Sequence, residues 1–251
     1  MLPRPDSGPA PYPSTRLSVI LAARQDDPDV RRAAFDTLVT VYWRPVYTRL
    51  RLRWRAAPED AEDLTQEFFA RAMERGFFDA FDPARARFRT FLRLCLDRFA
   101  ANAHRDQRRL KRGGGVNLVP LDVSLVEREL LASGADAADA DPDVWFDRDW
   151  IRAVFADAVQ QLRAECSGGP RAIRFEIFER HDLYAGPETD RPSYRELATF
   201  YGVPVTQVTN HLAWSRRELR RLVLERLRIV SGSEAEVRDE ARELFGKGGD
   251  A

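Results

Sequence analysis

Apolar residues in this chain recur every three or four positions and almost never every two. Phe88, Phe91, Leu92, Cys95, Phe99 and Ala103 fall at i, i+3, i+4, i+7, i+11 and i+15, one stripe of an α-helix. Val/Ile/Thr alternation never persists, so strands lack their signal and the fold class is expected to be all-α. Local stop and start signals divide the pattern. Asp27-Pro28 puts an acid at an N-cap and proline at the first helical position. The helix it opens carries Phe35, Leu38, Val39, Tyr42 and Val46 on one face, and Pro45 inside it should kink or break it. Pro58 and Gly76 bracket a second helix with Ala61, Leu64, Phe68 and Ala72 on its inner stripe. Acids crowd its first turns, where the helix dipole favours them. Asp82-Pro83 repeats the start signal for the helix bearing the Phe88 stripe, and Gly113–Gly115 end it.

Charge is even in total and uneven in place. The 251 residues carry 40 Lys+Arg and 40 Asp+Glu. Arg16 to Arg112 holds 21 basic and 14 acidic residues, Val116 to Trp150 two and nine, and His211 to Arg228 six and two. Two basic modules joined by an acidic connector follow from these counts. Residues 1–14, with five prolines and no apolar core, read as a disordered tail and not as a secretory leader. Residues 15–115 form the first helical module and 116–148 an acidic flexible linker with at most a fragile helical turn. Residues 149–230 form the second module, and 231–251 an extension with one charged helical stretch, EAEVRDEARELF. No apolar run is long enough to span a bilayer. Cys95 and Cys166 fit no metal spacing and read as small apolar residues of a reducing cytoplasm. No Walker A loop, GxSxG, HExxH or paired Cys/His set occurs, so no enzyme chemistry, metal or cofactor is expected.

The second module contains a compact signature. Ser193 caps a helix with Glu196 as its capping-box partner, Leu197 and Ala198 face inward, and Gly202 closes it. A second helix starts near Pro204 with Val208 and Leu212 inward. Ala198, Gly202 and Val208 have the spacing of a helix-turn-helix: a small residue for close packing, glycine for the turn, a β-branched residue to seat the second helix. Thr206, Gln207, Thr209, Asn210 and Ala213 are left outward, hydrogen-bonding or small as a major-groove reader needs. Arg216, Arg217, Arg220 and Arg221 follow, suited to phosphates. His211 reads as a half-exposed helix residue.

The first module adds a second pattern. Residues 87–115 hold nine basic residues, two acids and three phenylalanines. DAEDLTQEFFARAMERG followed by FRTFLRLCLDRFAANAHRDQRR resembles region 2 of the sigma-70 family of bacterial RNA polymerase sigma factors. SYRELATFYGVPVTQVTNHLAWSRRELRRL resembles their region 4. With these two regions alone, over roughly residues 30–115 and 150–228, the chain looks like an extracytoplasmic-function (ECF) type sigma factor. The resemblance implies docking of Asp63, Gln66 and Glu67 on the clamp coiled coil of core polymerase, the residues lying on the polar side of their helix. Asp60 and Glu62 read as complement to the helix dipole. It implies −10 element contact through Arg89, Arg93, Arg98, Asn102, His104, Arg105, Arg108, Arg109 and Arg112. It implies −35 contact through Thr206, Gln207, Thr209, Asn210, Ala213, Arg216, Arg217 and Arg220. Phe88, Phe91 and Phe99 share the inner stripe and read as core. Arg98 stands where many members carry an asparagine beside the captured base, so a different −10 preference is expected. Thr209-Asn210-His211 stands where an early basic residue is common in the recognition helix. The implied partners are core polymerase (clamp coiled coil and flap) and promoter DNA, with an anti-sigma factor or regulatory kinase as a control device. The rival expectation is a helix-turn-helix regulator that uses only residues 190–228 on DNA and does not bind core polymerase.

Overall fold

The computed structural model describes residues 19–74, 76–107, 122–133 and 140–246. Among them there are ten α-helices, three short 3-10 turns and no strand, so the chain is all-α. Arg108, Arg109, Arg112 and the glycines at 113–115 lie outside the described residues.

After a single turn, α1 (Val19–Ala22), α2 runs from Pro28 to Arg53. Its start is the expected one: the Asp27 carboxylate accepts from the Asp29 and Val30 amides. Pro45 lies inside α2 and does not end it. Packing on both sides of the proline outweighs the one lost hydrogen bond, since Tyr42, Val46 and Tyr47 are all fully buried. The helix α3 (Pro58–Glu74) and a 3-10 turn (Phe77–Ala80) lead to α4 (Phe88–Gln107). Aromatic rings lock these pieces together. Phe88 meets Tyr42 edge-on at 5.6 Å, Phe78 at 5.4 Å and Phe81 at 5.3 Å, and Phe99 meets Phe68 at 5.5 Å. Phe88 and Phe99 are buried and Phe91 half-buried, as core residues should be. Each fully buried ring is worth about 2–3 kcal/mol, with about 1 kcal/mol more per edge-on pair.

The start of α4 differs from expectation. Asp82 forms a local turn through the Ala84 amide at 2.9 Å instead of capping a helix, and α4 begins six residues later at Phe88.

The stretch expected to be a flexible linker is structured where it is described. It contains α5 (Val123–Ala132) and the beginning of α6 (Pro142–Cys166), which starts seven residues before the expected Asp149. Opposite charge explains both. Glu127 of α5 takes Arg51 and the Tyr47 hydroxyl of α2, at 2.6 and 2.7 Å. Glu129 takes Arg44 at 2.5 Å. Asp149 of α6, 1% exposed, accepts from Thr48 at 2.6 Å and Arg44 at 3.0 Å. Hydrogen bonds from Arg51 and Tyr47 hold the Glu127 carboxyl below its ordinary pKa, against a smaller effect of burial.

The second module follows its expected breaks. α6 stops at Cys166, α7 spans Ala172–His181, α8 spans Tyr194–Tyr201 and α9 spans Val205–Val230. The last described helix, α10 (Glu234–Phe245), coincides with the charged stretch read from the sequence. α6 packs on α2 through its first half and on α9 further along, where Arg226 donates to Asp157 at 2.6 Å.

Candidate nucleic-acid interface

The sequence nominated α4 as a phosphate-facing helix, and its arginines divide by angular position. Leu92, Leu96, Phe99 and Ala100 are buried, so the inner stripe is centred between Phe88 and Leu96. Arg89 sits on the edge of that stripe and is only 7% exposed. Its guanidinium is ringed by acids: Asp147 at 3.0 Å, Glu240 at 2.9 Å and Glu243 at 2.8 Å. It also lies 5.1 Å from the Trp150 ring centroid. Arg89 is therefore a buried, fully paired cation in this conformation, which corrects the expectation that it is open to phosphates. Arg93, one turn on, is half-buried above Phe146 and 3.7 Å from Asp143 and Asp147. The opposite flank is open: Arg98, Asn102 and Arg105 are exposed, while His104, also exposed, lies on the Arg93 side three turns further on. Arg105 donates to Asn102 Oδ1 at 2.6 Å, so the two move as one polar unit.

α3 presents the acidic side. Asp63 and Glu67 are exposed, with Glu67 tied to Arg71 one turn later. Gln66 is 9% exposed and belongs to the buried face with Thr65 and Phe69. The expected polar triad is thus a pair of carboxylates, and Gln66 is corrected to a packing residue.

α8 and α9 form the third surface. Both halves of the capping box at Ser193 and Glu196 are present, and Gly202 turns the chain with φ of 65°, a left-handed conformation that costs glycine little. Val208 and Leu212 are fully buried, which sends Thr206, Gln207, Thr209 and Asn210 outward, all exposed; Ala213 is half-buried. His211 is buried, not half-exposed as expected, and burial beside Arg174 pushes its pKa down. Arg216 is held by both oxygens of Asp182, at 2.7 and 2.8 Å. Burial raises the Asp182 pKa, but Arg216 and His181 outweigh it and hold the carboxyl below its ordinary value. Arg217 is exposed, and Arg220 lies over the Phe245 ring at 5.0 Å.

Two features were not found from sequence. A cleft of about 160 Å³ opens beside α4, lined by Trp54, Arg55, Ala56, Ala57, Asp60, Leu64, Ala100 and His104. Arg55 in its wall has φ of 52°, a left-handed value that a non-glycine residue holds only under local constraint. The other is the set of arginines on α2. Arg49 pairs with Asp97 of α4 at 2.8 Å and also with Asp143 of α6. Arg44, Arg49 and Arg51 are consumed by the acidic connector. The blockwise charge counts contained that signal, but not which arginine meets which acid.

Residues 38–110, spanning most of α2 through α4, match the family model for Sigma-70 region 2. That match supports RNA polymerase binding and promoter melting as the business of this module. No curated protein and no solved structure matches the chain.

Proposed function

We propose, from the Sigma-70 region 2 at residues 38–110, that this chain is an ECF-type sigma factor that directs core RNA polymerase to promoters. It is a specificity subunit without a reaction of its own. Asp63 and Glu67 dock on the polymerase clamp. The open flank of α4, Arg98, Asn102 and Arg105, meets the opened strand of the −10 element, with exposed His104 at the helix's end beside it. α8 and α9 act as a helix-turn-helix on the −35 element, with Thr206, Gln207, Thr209 and Asn210 at base edges and Arg217 at phosphate. Holding a base out of the stack costs a few kcal/mol, returned by phosphate neutralisation and contacts to the displaced base. The observation that carries this reading is the coincidence of the region 2 match with one acidic exposed ridge on α3 and one basic exposed flank on α4.

Run-off transcription with core polymerase on a library of genomic fragments tests it. Discrete start sites dependent on the chain are expected; no start site and no association with polymerase in a pull-down would sink it. A second reading, a DNA-binding regulator that does not bind core polymerase, draws on the pairing of Arg89 and Arg93 with acids, which would leave DNA contact to α9 alone. The pull-down separates the two.

A further inference from the structure

The 231–251 extension has no part in the function proposed above, yet its helix covers the ground that function needs. α10 lies across the beginning of α4. The Glu236 carboxylate accepts from the Phe88 amide at 2.8 Å and from the Gly232 amide at 2.7 Å, so it caps α4 from the far end of the chain. Glu243 pairs with Arg87 at 2.7 Å and Arg89 at 2.8 Å; Glu240 reaches Arg89 at 2.9 Å. Gly232 approaches the Phe81 ring so closely that a Cβ there would lie 2.4 Å from it. The other end of α10 holds the second module: Phe245 sits beneath Arg220 of α9 and 6.2 Å from Phe155 of α6.

We propose that α10 is a built-in competitor of DNA, a clasp whose carboxylates occupy Arg87 and Arg89 and whose Phe245 ties down Arg220. The inference rests on the reading that α4 and α9 face promoter DNA. Geometry makes the clasp incompatible with that engaged state. Glu243 and Phe245 are about 3 Å apart along the helix axis, so Arg89 and Arg220, gripping these neighbours, lie within a few side-chain lengths of each other. Elements centred about 25 base pairs apart are separated by about 85 Å of duplex. One closed molecule cannot serve both. Release of α10 uncovers Arg87, just before α4, and leaves Arg89 with Asp147 alone, and it removes one tie between the modules, the packing of α6 on α2 being another.

The test uses the full chain with Glu243→Gln, which removes the carboxylate shared by Arg87 and Arg89, binding a fluorescent 30-nucleotide single strand of mixed sequence across a salt series. The slope of log affinity against log salt should steepen by about 0.7 for each arginine released, with affinity at low salt rising. The same change in an Arg87→Ala, Arg89→Ala background should give neither effect. An unchanged slope overturns the clasp. So does an equal gain in the background lacking the arginines, because that gain would come from net charge alone. Binding absent from every variant overturns it as well. Glu243 is exposed, so the change should leave helicity by circular dichroism intact. Polymerase is not needed here, so loss of run-off transcription with a steepened slope would remove the function proposed above and leave the clasp. Intact transcription with an unchanged slope would do the reverse.

Discussion

Gln66 and Glu67 are neighbours on α3 with different surroundings, one packed and one in water. Reversing charge at Asp63 and Glu67 together is expected to lower core polymerase affinity at least tenfold with helicity by circular dichroism unchanged. Gln66→Ala should do the opposite: it should cost about 1 kcal/mol in urea unfolding and leave polymerase affinity alone. The same contrast separates Arg217 from Arg216. Arg217→Ala should reduce the salt slope of duplex binding by about 0.9, one phosphate's worth. Arg216→Ala should reduce it by less, because Asp182 already holds that guanidinium with two hydrogen bonds. On α9 the exposure of Thr206, Gln207, Thr209 and Asn210 was readable in the sequence, since Val208 and Leu212 fix the helix phase, but the burial of His211 was not. The states of Gln66 and Arg89 were not, because both sit at the margin of a stripe and a neighbouring helix decides which margin is covered.

Between elements, carboxylates do the joining. Asp149 bridges α6 to Arg44 and Thr48 of α2 from a buried position, and Asp149→Ala should lower stability by about 3 kcal/mol, leaving a half-buried guanidinium short of a partner. Chemical denaturation of the two proteins measures it. Glu240 gives α10 a pH response. Burial raises its pKa to about 7, more than Arg89 and Arg87 lower it, and Glu243 and Glu236 push the same way as burial. Tyr42 of α2, Asp147 of α6 and Asp239 of α10 complete the charged or titratable groups around this cluster. The folded pKa exceeds the ordinary 4.5, so the folded state holds more protons between these values. The stability Glu240 contributes is therefore full below about pH 4.5 and is lost as pH rises through about 7. Hydrogen exchange of the α10 amides, corrected for intrinsic rates, should show weaker protection at pH 8 than at pH 5.5, and Glu240→Gln should flatten the difference. Helices with local caps were legible: Asp27-Pro28 for α2, the Ser193 box for α8 and the full extent of α10. α5 was not. Ten residues are marginal as an isolated helix, and its stability comes from Arg44, Arg51 and Tyr47 on another helix. Nor was the onset of α4, whose first amide is satisfied by a carboxylate 148 residues away.

For the molecule as a whole, equal numbers of opposite charges arranged in blocks give a chain that neutralises itself by folding. The acidic connector was expected to be a flexible linker; four of its described acids, Glu127, Glu129, Asp143 and Asp147, are instead bound to arginines of α2 and α4. The proposed engagement of two promoter elements then requires separation of the modules. Fluorescent labels on exposed Glu74 and Gln207 should report a longer distance when core polymerase and promoter DNA are added together, and an unchanged distance would mean that the closed packing persists on DNA. The contact between Phe88 and Glu236 also sets an order of events during synthesis on the ribosome. At about 5–20 residues per second, Glu236 is made roughly seven to thirty seconds after Phe88. For that interval the nascent fourth helix has no carboxylate on its first amide, and Arg87 and Arg89 lack the carboxylates of α10. A newborn molecule therefore passes through a form that lacks this clasp before folding is complete.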